Sequence, residues 1–151
     1  MTPTPSRLTA PALALALGLL LAPRASEAAN VRLGLGADAW LDGRGGLFSL
    51  LVGIDTRLAG PLSIGGRFGA TLATGSGDDV AVPLDLVLRA NFRNAYVEAL
   101  AGPHIFFDDN DHLHGHAAFG FGLVNGPLSF GIEVGYLEPS PVVGLRLGYR
   151  I

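Results

Sequence analysis

Four histidines and one aspartate lie close together in the second half of the chain. His112, His114 and His116 occupy alternate positions, Asp108 precedes them, and His104 lies just upstream. Alternate residues of an extended segment point to the same side, and a hairpin centred in this segment would place His104 opposite His116. Imidazole and carboxylate groups together suit zinc, nickel or copper. The spacing predicts a divalent-metal site made of these five residues; the simpler alternative is a solvated loop in which they are only polar.

Residues suited to covalent catalysis form no comparable group. The chain has no Cys, which excludes a thiol nucleophile, a thiolate zinc site and a disulfide scaffold. A serine nucleophile requires a hydrogen-bonded base, and Ser49, Ser63 and Ser129 have no histidine at a spacing that would supply one. We therefore expect no enzymatic activity, and no cofactor apart from the metal ion considered above.

The overall composition is apolar and slightly acidic. Hydrophobic residues make up 49% of the 151 residues and charged residues 15%, whereas an average soluble domain carries about 25% charged residues. The formal net charge is −3, so no basic surface for nucleic acid is expected. The mean hydropathy of +0.42 is typical of a membrane protein.

The first 28 residues have the three parts of a secretory signal peptide. A short segment with one basic residue, Arg7, precedes an apolar run over residues 8–22, and Ser26 and Ala28 are small residues before a cleavage point at Ala29. The apolar run is shorter than the ~20 residues that a membrane-spanning helix requires. The sequence predicts a cleaved signal peptide over 1–28 and one domain over 29–151.

The predicted domain alternates apolar and polar residues with a period of two, which is typical of strands. Turn-forming residues divide it into eight runs. These runs cover residues 31–41, 47–58, 62–74, 80–92, 95–107, 116–124, 128–137 and 142–151. Most are long enough for a tilted strand to cross a bilayer, and an even strand number is usual in single-chain bacterial barrels.

One face of these runs is apolar, and the other collects arginine, aspartate, glutamate and glycine. In a soluble barrel of lipocalin type the charged face would point outward into water. Glycine is rare on a solvated strand surface because it weakens the strand and provides nothing to pack, but it leaves space for long side chains in a narrow lumen. We therefore predict an all-β, eight-stranded antiparallel up-and-down transmembrane β-barrel with a polar lumen packed with Gly, Arg, Asp and Glu.

The turns predict two ion pairs on the charged face. If Arg93-Asn94 forms a two-residue hairpin turn, Arg89 lies opposite Glu98. If the last hairpin closes between residues 137 and 142, Glu133 lies opposite Arg146. Charges paired in this way would fill the lumen instead of lining a pore.

The chain resembles the small eight-stranded outer-membrane barrels of the OmpA/OmpX type. The most specific part of the resemblance is the last run, 143–151, which resembles the C-terminal signal read by the barrel-assembly machinery. Tyr149 stands third from the end as in that signal, whereas Ile151 stands where the pattern prefers Phe. The resemblance implies a monomer in the outer membrane of a Gram-negative bacterium, surrounded by lipid. It also implies the assembly machinery and periplasmic chaperones as partners during biogenesis.

The sequence leaves three functions open. The first is a non-enzymatic outer-membrane barrel with a structural or surface-interaction role and no large pore. The second is a ligand-binding, metal-binding or transport barrel that uses the His/Asp-rich outer loop. The third is a soluble periplasmic lipocalin-like barrel that binds a small apolar ligand.

Overall fold

The computed structural model describes residues 29–75, 79–107 and 112–151, so the predicted signal peptide over 1–28 lies outside the described residues. Eight strands account for most of the described chain. They are β1 (Asn30–Trp40), β2 (Gly45–Ala59), β3 (Leu62–Gly75), β4 (Asp79–Asn91), β5 (Ala95–Phe106), β6 (Leu113–Asn125), β7 (Leu128–Leu137) and β8 (Ser140–Arg150). Within the described ranges, no helix is long and apolar enough to span a membrane.

The strands form a closed barrel in sequence order. Each strand pairs antiparallel with the next, and β1 pairs with β8 to complete the barrel. The β2–β3, β4–β5 and β6–β7 connections lie at one end together with residues 30 and 150, and we call this the turn end. The other four connections lie at the opposite end, the loop end. The predicted all-β barrel with eight antiparallel strands is confirmed.

The two faces of the barrel wall are divided as the alternation predicts. Large apolar side chains point outward and are exposed, with Leu35 at 54%, Leu86 at 62% and Phe119 at 53% exposure. Charged side chains point inward and are buried, with Glu133 at 2% and Asp85 at 4%. Because the charged groups are inside, the barrel is inverted relative to a soluble one.

Two hairpin registers differ from the sequence prediction by two residues. His104 pairs with His114 instead of His116, because pairing continues farther into the connection, where the Phe106 amide donates to the His112 carbonyl. As a result β6 begins three residues earlier than predicted. Glu133 pairs with Gly144 instead of Arg146, since the last hairpin closes through the two residues 138–139.

Glycine permits close approach of neighbouring strands at Gly102 in β5. A Cβ atom at this position would clash with the Leu84 carbonyl oxygen and lie 2.8 Å from the Asp85 Cα atom. Gly66 in β3, by contrast, faces outward, and the nearest atom to a Cβ atom there is the Asp85 carbonyl oxygen at 3.8 Å.

We expect Gly102→Ala to lower the free energy of unfolding by roughly 1–3 kcal/mol, because the backbone of β4 or β5 must shift. Gly66→Ala is the matched control and should leave stability unchanged or slightly raised, since alanine restricts the unfolded chain. Urea unfolding of both variants in detergent micelles measures the difference. Equal effects of the two substitutions would contradict the close strand approach at Gly102.

Candidate functional site

The centre of the lumen is filled by a connected set of ion pairs. Arg67 donates from Nη1 to Glu133 Oε2 at 2.7 Å, and from Nε and Nη2 to Asp85 Oδ2 at 3.2 and 2.9 Å. Arg146 donates to both carboxylate oxygens of Glu133 at 3.1 and 2.7 Å, and its Nη2 atom lies 2.7 Å from Asp38 Oδ1. We call these five residues the central network. It connects β1, β3, β4, β7 and β8 across the lumen.

Two further pairs lie nearer the turn end. Arg89 Nη1 lies 3.0 Å from Glu98 Oε2, and Arg32 Nη2 lies 3.0 Å from Asp55 Oδ1. The Arg89 guanidinium also stacks on the Tyr96 ring, 3.6 Å from its centroid. Each carboxylate therefore faces a guanidinium group, as the low dielectric of a buried position requires.

The hairpin turn at 93–94 places Arg89 and Glu98 as direct register partners, which is the arrangement predicted from the sequence. Glu133 and Arg146 also form an ion pair, although they are not register partners, because the long arginine side chain spans the diagonal offset. The sequence did not predict that Arg67 bridges Asp85 and Glu133. Its position on the charged face was visible in the sequence, but its contact with Glu133 crosses the lumen between distant strands.

Inward-facing glycines leave the space that these side chains occupy. A Cβ atom at Gly144 would clash with the Asp38 carboxylate, and one at Gly36 would lie 2.8 Å from Arg146 Nη1. At Gly131 a Cβ atom would clash with the Tyr96 hydroxyl. The alternation of Gly with Arg, Asp and Glu is therefore a packing requirement of the lumen.

The structure divides the histidines into two groups. His116 Nδ1 lies 2.8 Å from Asp85 Oδ1, and the His104 and His116 rings are 4.5 Å apart between centroids. His112 Nδ1 instead lies 3.2 Å from the Phe106 carbonyl oxygen.

His114 Nδ1 lies 2.8 Å from the Glu138 carbonyl oxygen, at the edge of the loop end. Asp108 lies outside the described residues, so its part in a metal site stays a prediction. The spacing of the histidines does not point to Asp85, because Asp85 lies in β4, whereas His104 and His116 lie in β5 and β6.

The two ends of the lumen differ in chemistry. At the loop end, buried apolar side chains cover the charged interior; we call this group the apolar layer, and it contains Leu47, Ala73, Ala81, Phe106, Leu137 and Val142, with Trp40 packed against it. At the turn end the lumen widens into an open cavity of about 450 Å³ whose lining includes Arg32, Arg57, Arg89, Arg93 and Arg150. Among the described residues, apolar side chains therefore cover the interior at the loop end, whereas the turn end is open.

The residues of the predicted assembly signal lie at the end of β8. Tyr149 points outward with 49% exposure and is the register partner of Leu33 in β1 and Leu128 in β7. Ile151 is 74% exposed, and its amide donates to the Val31 carbonyl oxygen at 3.0 Å. Both side chains are therefore exposed.

No protein-family model matches the chain, and no curated protein matches it in sequence. Solved structures do match its fold. The de novo designed protein TMB2.3, determined by solution NMR, has a TM-score of 0.61 at 15% identity, covering 85% of this chain and 98% of its own. A structure from the de novo design of transmembrane β-barrels has a TM-score of 0.60 at 12% identity, covering 81% and 95%.

The crystal structure of Neisserial surface protein A has a TM-score of 0.54 at 12% identity, covering 82% of this chain and 94% of its own. At these identities the likeness concerns the fold. The resemblance expected from the sequence is thereby confirmed at that level: the chain is a closed eight-stranded antiparallel barrel of the transmembrane type.

We expect Glu133→Gln to lower the free energy of unfolding by about 3–5 kcal/mol, because it leaves Arg67 and Arg146 buried with insufficient negative charge. Asp42→Asn is the control, since Asp42 pairs with Arg44 on the exposed surface of the β1–β2 connection and its loss should leave stability close to that of the unmodified chain. Urea unfolding measures both. A Glu133→Gln variant as stable as Asp42→Asn would contradict the central role of Glu133.

Proposed function

We propose that this chain is a non-enzymatic integral protein of the outer membrane of a Gram-negative bacterium. In this proposal it has a structural or surface-interaction role and forms no large pore. One observation carries the proposal: the wall is apolar on the outside, whereas the charged side chains are paired inside. In a bilayer the apolar outer face would contact lipid, while the charged inner face would stay enclosed in the lumen, so both faces would have favourable surroundings.

The outer wall supports a lipid surrounding. The exposed fraction is 54% for Leu35 in β1, 62% for Leu86 in β4 and 68% for Leu123 in β6. These side chains belong to a continuous apolar band around the barrel. Apolar patches of this extent are rare on soluble monomers. The alternative of a soluble periplasmic barrel would require this band to face water. It would also require an apolar ligand pocket in the lumen, whose centre is formed by paired charges.

The lumen supports a role without ion conduction. The central network connects opposite walls of the barrel, and the apolar layer covers it at the loop end. An eight-stranded barrel is just wide enough for its own side chains to fill the interior. A permeating ion would have to displace buried, mutually paired charges.

The hydrogen-bond and ion-pair partners of the acidic and hydroxyl side chains do not support a catalytic role. Glu98 is paired with Arg89, and Glu133 with two arginines, so both serve as counterions. Ser49 shares a hydrogen bond with Thr71, and Ser63 donates to the Arg89 carbonyl oxygen. These contacts are structural in kind, which agrees with a non-enzymatic function.

Export and assembly form part of the proposal. Residues 1–28 would direct secretion and be cleaved, periplasmic chaperones would bind the unfolded barrel, and the assembly machinery would recognise β8 through Tyr149 and Ile151. The loop end would then face the exterior and the turn end the periplasm. A surface location agrees with the name of the Neisserial protein that shares the fold.

Expression with the native N-terminal segment tests the location. We expect the chain in the outer-membrane fraction, with a gel mobility that changes on boiling, because a folded barrel resists detergent. Leu86→Arg places a charge at mid-strand on the lipid face and should cost roughly 2–4 kcal/mol or block assembly. Leu41→Arg is the matched control, because Leu41 is also 62% exposed but lies in the β1–β2 connection.

The folded band should therefore be lost or weakened in Leu86→Arg and retained in Leu41→Arg. Recovery of the chain in the soluble periplasmic extract, with both variants folded, would overturn the proposal. That result would mean that the apolar wall tolerates charge because it does not contact lipid.

Planar-bilayer recording tests the closed lumen. We expect the purified barrel to show no discrete conductance steps, because the central network and the apolar layer fill the lumen at its centre and loop end. A large porin reconstituted in parallel provides the positive control. Reproducible unitary steps from the purified chain would contradict a filled lumen.

A further inference from the structure

Three buried side chains with metal-ligating atoms meet inside the barrel, on three consecutive strands. Asp85 in β4, His104 in β5 and His116 in β6 each offer one ligand atom within 4.8 Å of the others. Their side chains are 0%, 9% and 3% exposed, respectively. Gly102 is the register partner of His116 and closely approaches Asp85, so the imidazole of His116 reaches over a position that has no side chain.

His104 is the member of this group whose hydrogen bonding is incomplete. Both of its ring nitrogens are buried and have no hydrogen-bond partner, and Nε2 lies 3.8 Å from Asp85 Oδ1. A buried polar group without a hydrogen-bond partner destabilises the folded state. Because the ring faces Asp85 and His116, one ion bound among the three residues would satisfy a nitrogen that the protein leaves unpaired.

The charge of the surrounding network favours a cation at this point. The central network contains two guanidinium groups, Arg67 and Arg146, and three carboxylates, Asp38, Asp85 and Glu133. The carboxylates therefore outnumber the guanidinium groups by one. Arg67 contacts Oδ2 of Asp85, while Oδ1 faces the two histidines. Arg67 thus orients the carboxylate as supporting groups commonly do in metal sites.

The distances suit a small tetrahedral ion. Ligand atoms bound to zinc are separated by about 3.3 Å when each bond is about 2.0 Å. Asp85 Oδ1 lies 2.8 Å from His116 Nδ1 and 3.8 Å from His104 Nε2. These two separations bracket the tetrahedral value, and the ligand atoms of all three residues lie within 4.8 Å of one another.

Space for a fourth ligand adjoins the two histidines. A cavity of about 20 Å³ is lined by both His104 and His116. This volume exceeds the roughly 10–15 Å³ that one buried water molecule requires. Two imidazoles, one carboxylate and a water molecule form a ligand set typical of zinc and of neighbouring divalent transition metals.

We infer that Asp85, His104 and His116 form a binding site for a divalent transition metal ion, with Zn²⁺ as the best fit, inside the lumen of the barrel. The site differs from the outer-loop site predicted from spacing, because it excludes His112 and His114 and takes its carboxylate from β4. It goes beyond the proposed function, which requires no metal. The ion would join three strands beneath the apolar layer and balance the central network.

Zinc retention by the detergent-extracted full chain tests the site. The protein is purified without a polyhistidine tag, exposed to ZnSO₄, passed through a desalting column with a weak chelator, and analysed for zinc by mass spectrometry. We expect about one zinc ion per chain in the unmodified protein. In His104→Gln/His116→Gln the retained zinc should fall by about tenfold or more. In the matched control His112→Gln/His114→Gln it should not change.

Three results would overturn the site: no stoichiometric zinc in the unmodified chain, retention in His104→Gln/His116→Gln, or loss in the control. The heat-dependent gel shift verifies that each variant is folded. If the first variant does not fold, the Co²⁺-loaded His112→Gln/His114→Gln variant decides the question, because it lacks the two outer-loop histidines. Intense visible absorption of a tetrahedral nitrogen- and oxygen-ligated cobalt ion would support the site, and its absence would overturn it.

Discussion

The constraint on which the structure depends is the burial of charge in a narrow, closed lumen. Most of the large apolar side chains of the strands point outward, so the charged side chains have no place except the interior. A buried charge is tolerated only when a partner and further hydrogen bonds compensate for its lost hydration. The bidentate contacts of Arg146 with Glu133 and the bridging position of Arg67 meet this requirement. The strand pairing and the ion pairs therefore support each other.

The composition follows from the same constraint. Arginine suits a lumen because its planar group donates in several directions and reaches two carboxylates at once. Glycine at positions such as Gly36 and Gly144 provides the volume that these long side chains need. A barrel wall without such glycines would be overpacked. The apolar layer then separates the charged interior from the loop end without adding further polar groups.

The four histidines lie at two depths in the barrel, and their surroundings differ. His112 and His114 contact backbone carbonyl oxygens near the loop end, where they contribute to the connections. His104 and His116 lie deeper, beside Asp85 and the central network. The same residue type thus has a local structural role at the rim and faces a charged cluster in the interior. Their alternate spacing alone does not distinguish these two environments.

The sequence by itself determined the strands, their number and the face that each residue occupies, because alternation and turn residues act locally. It also predicted the pair of Arg89 and Glu98, since a two-residue turn sets the register of its hairpin. Only the tertiary structure decided which charges meet across the lumen, such as Arg67 with Glu133, and that Asp85 joins His104 and His116. The alternation along a strand shows which face of the wall a residue occupies. It does not show the height of that residue in the barrel or its distance from residues on the opposite wall. Those depend on barrel closure and on hairpin registers, which a two-residue change in turn length shifts.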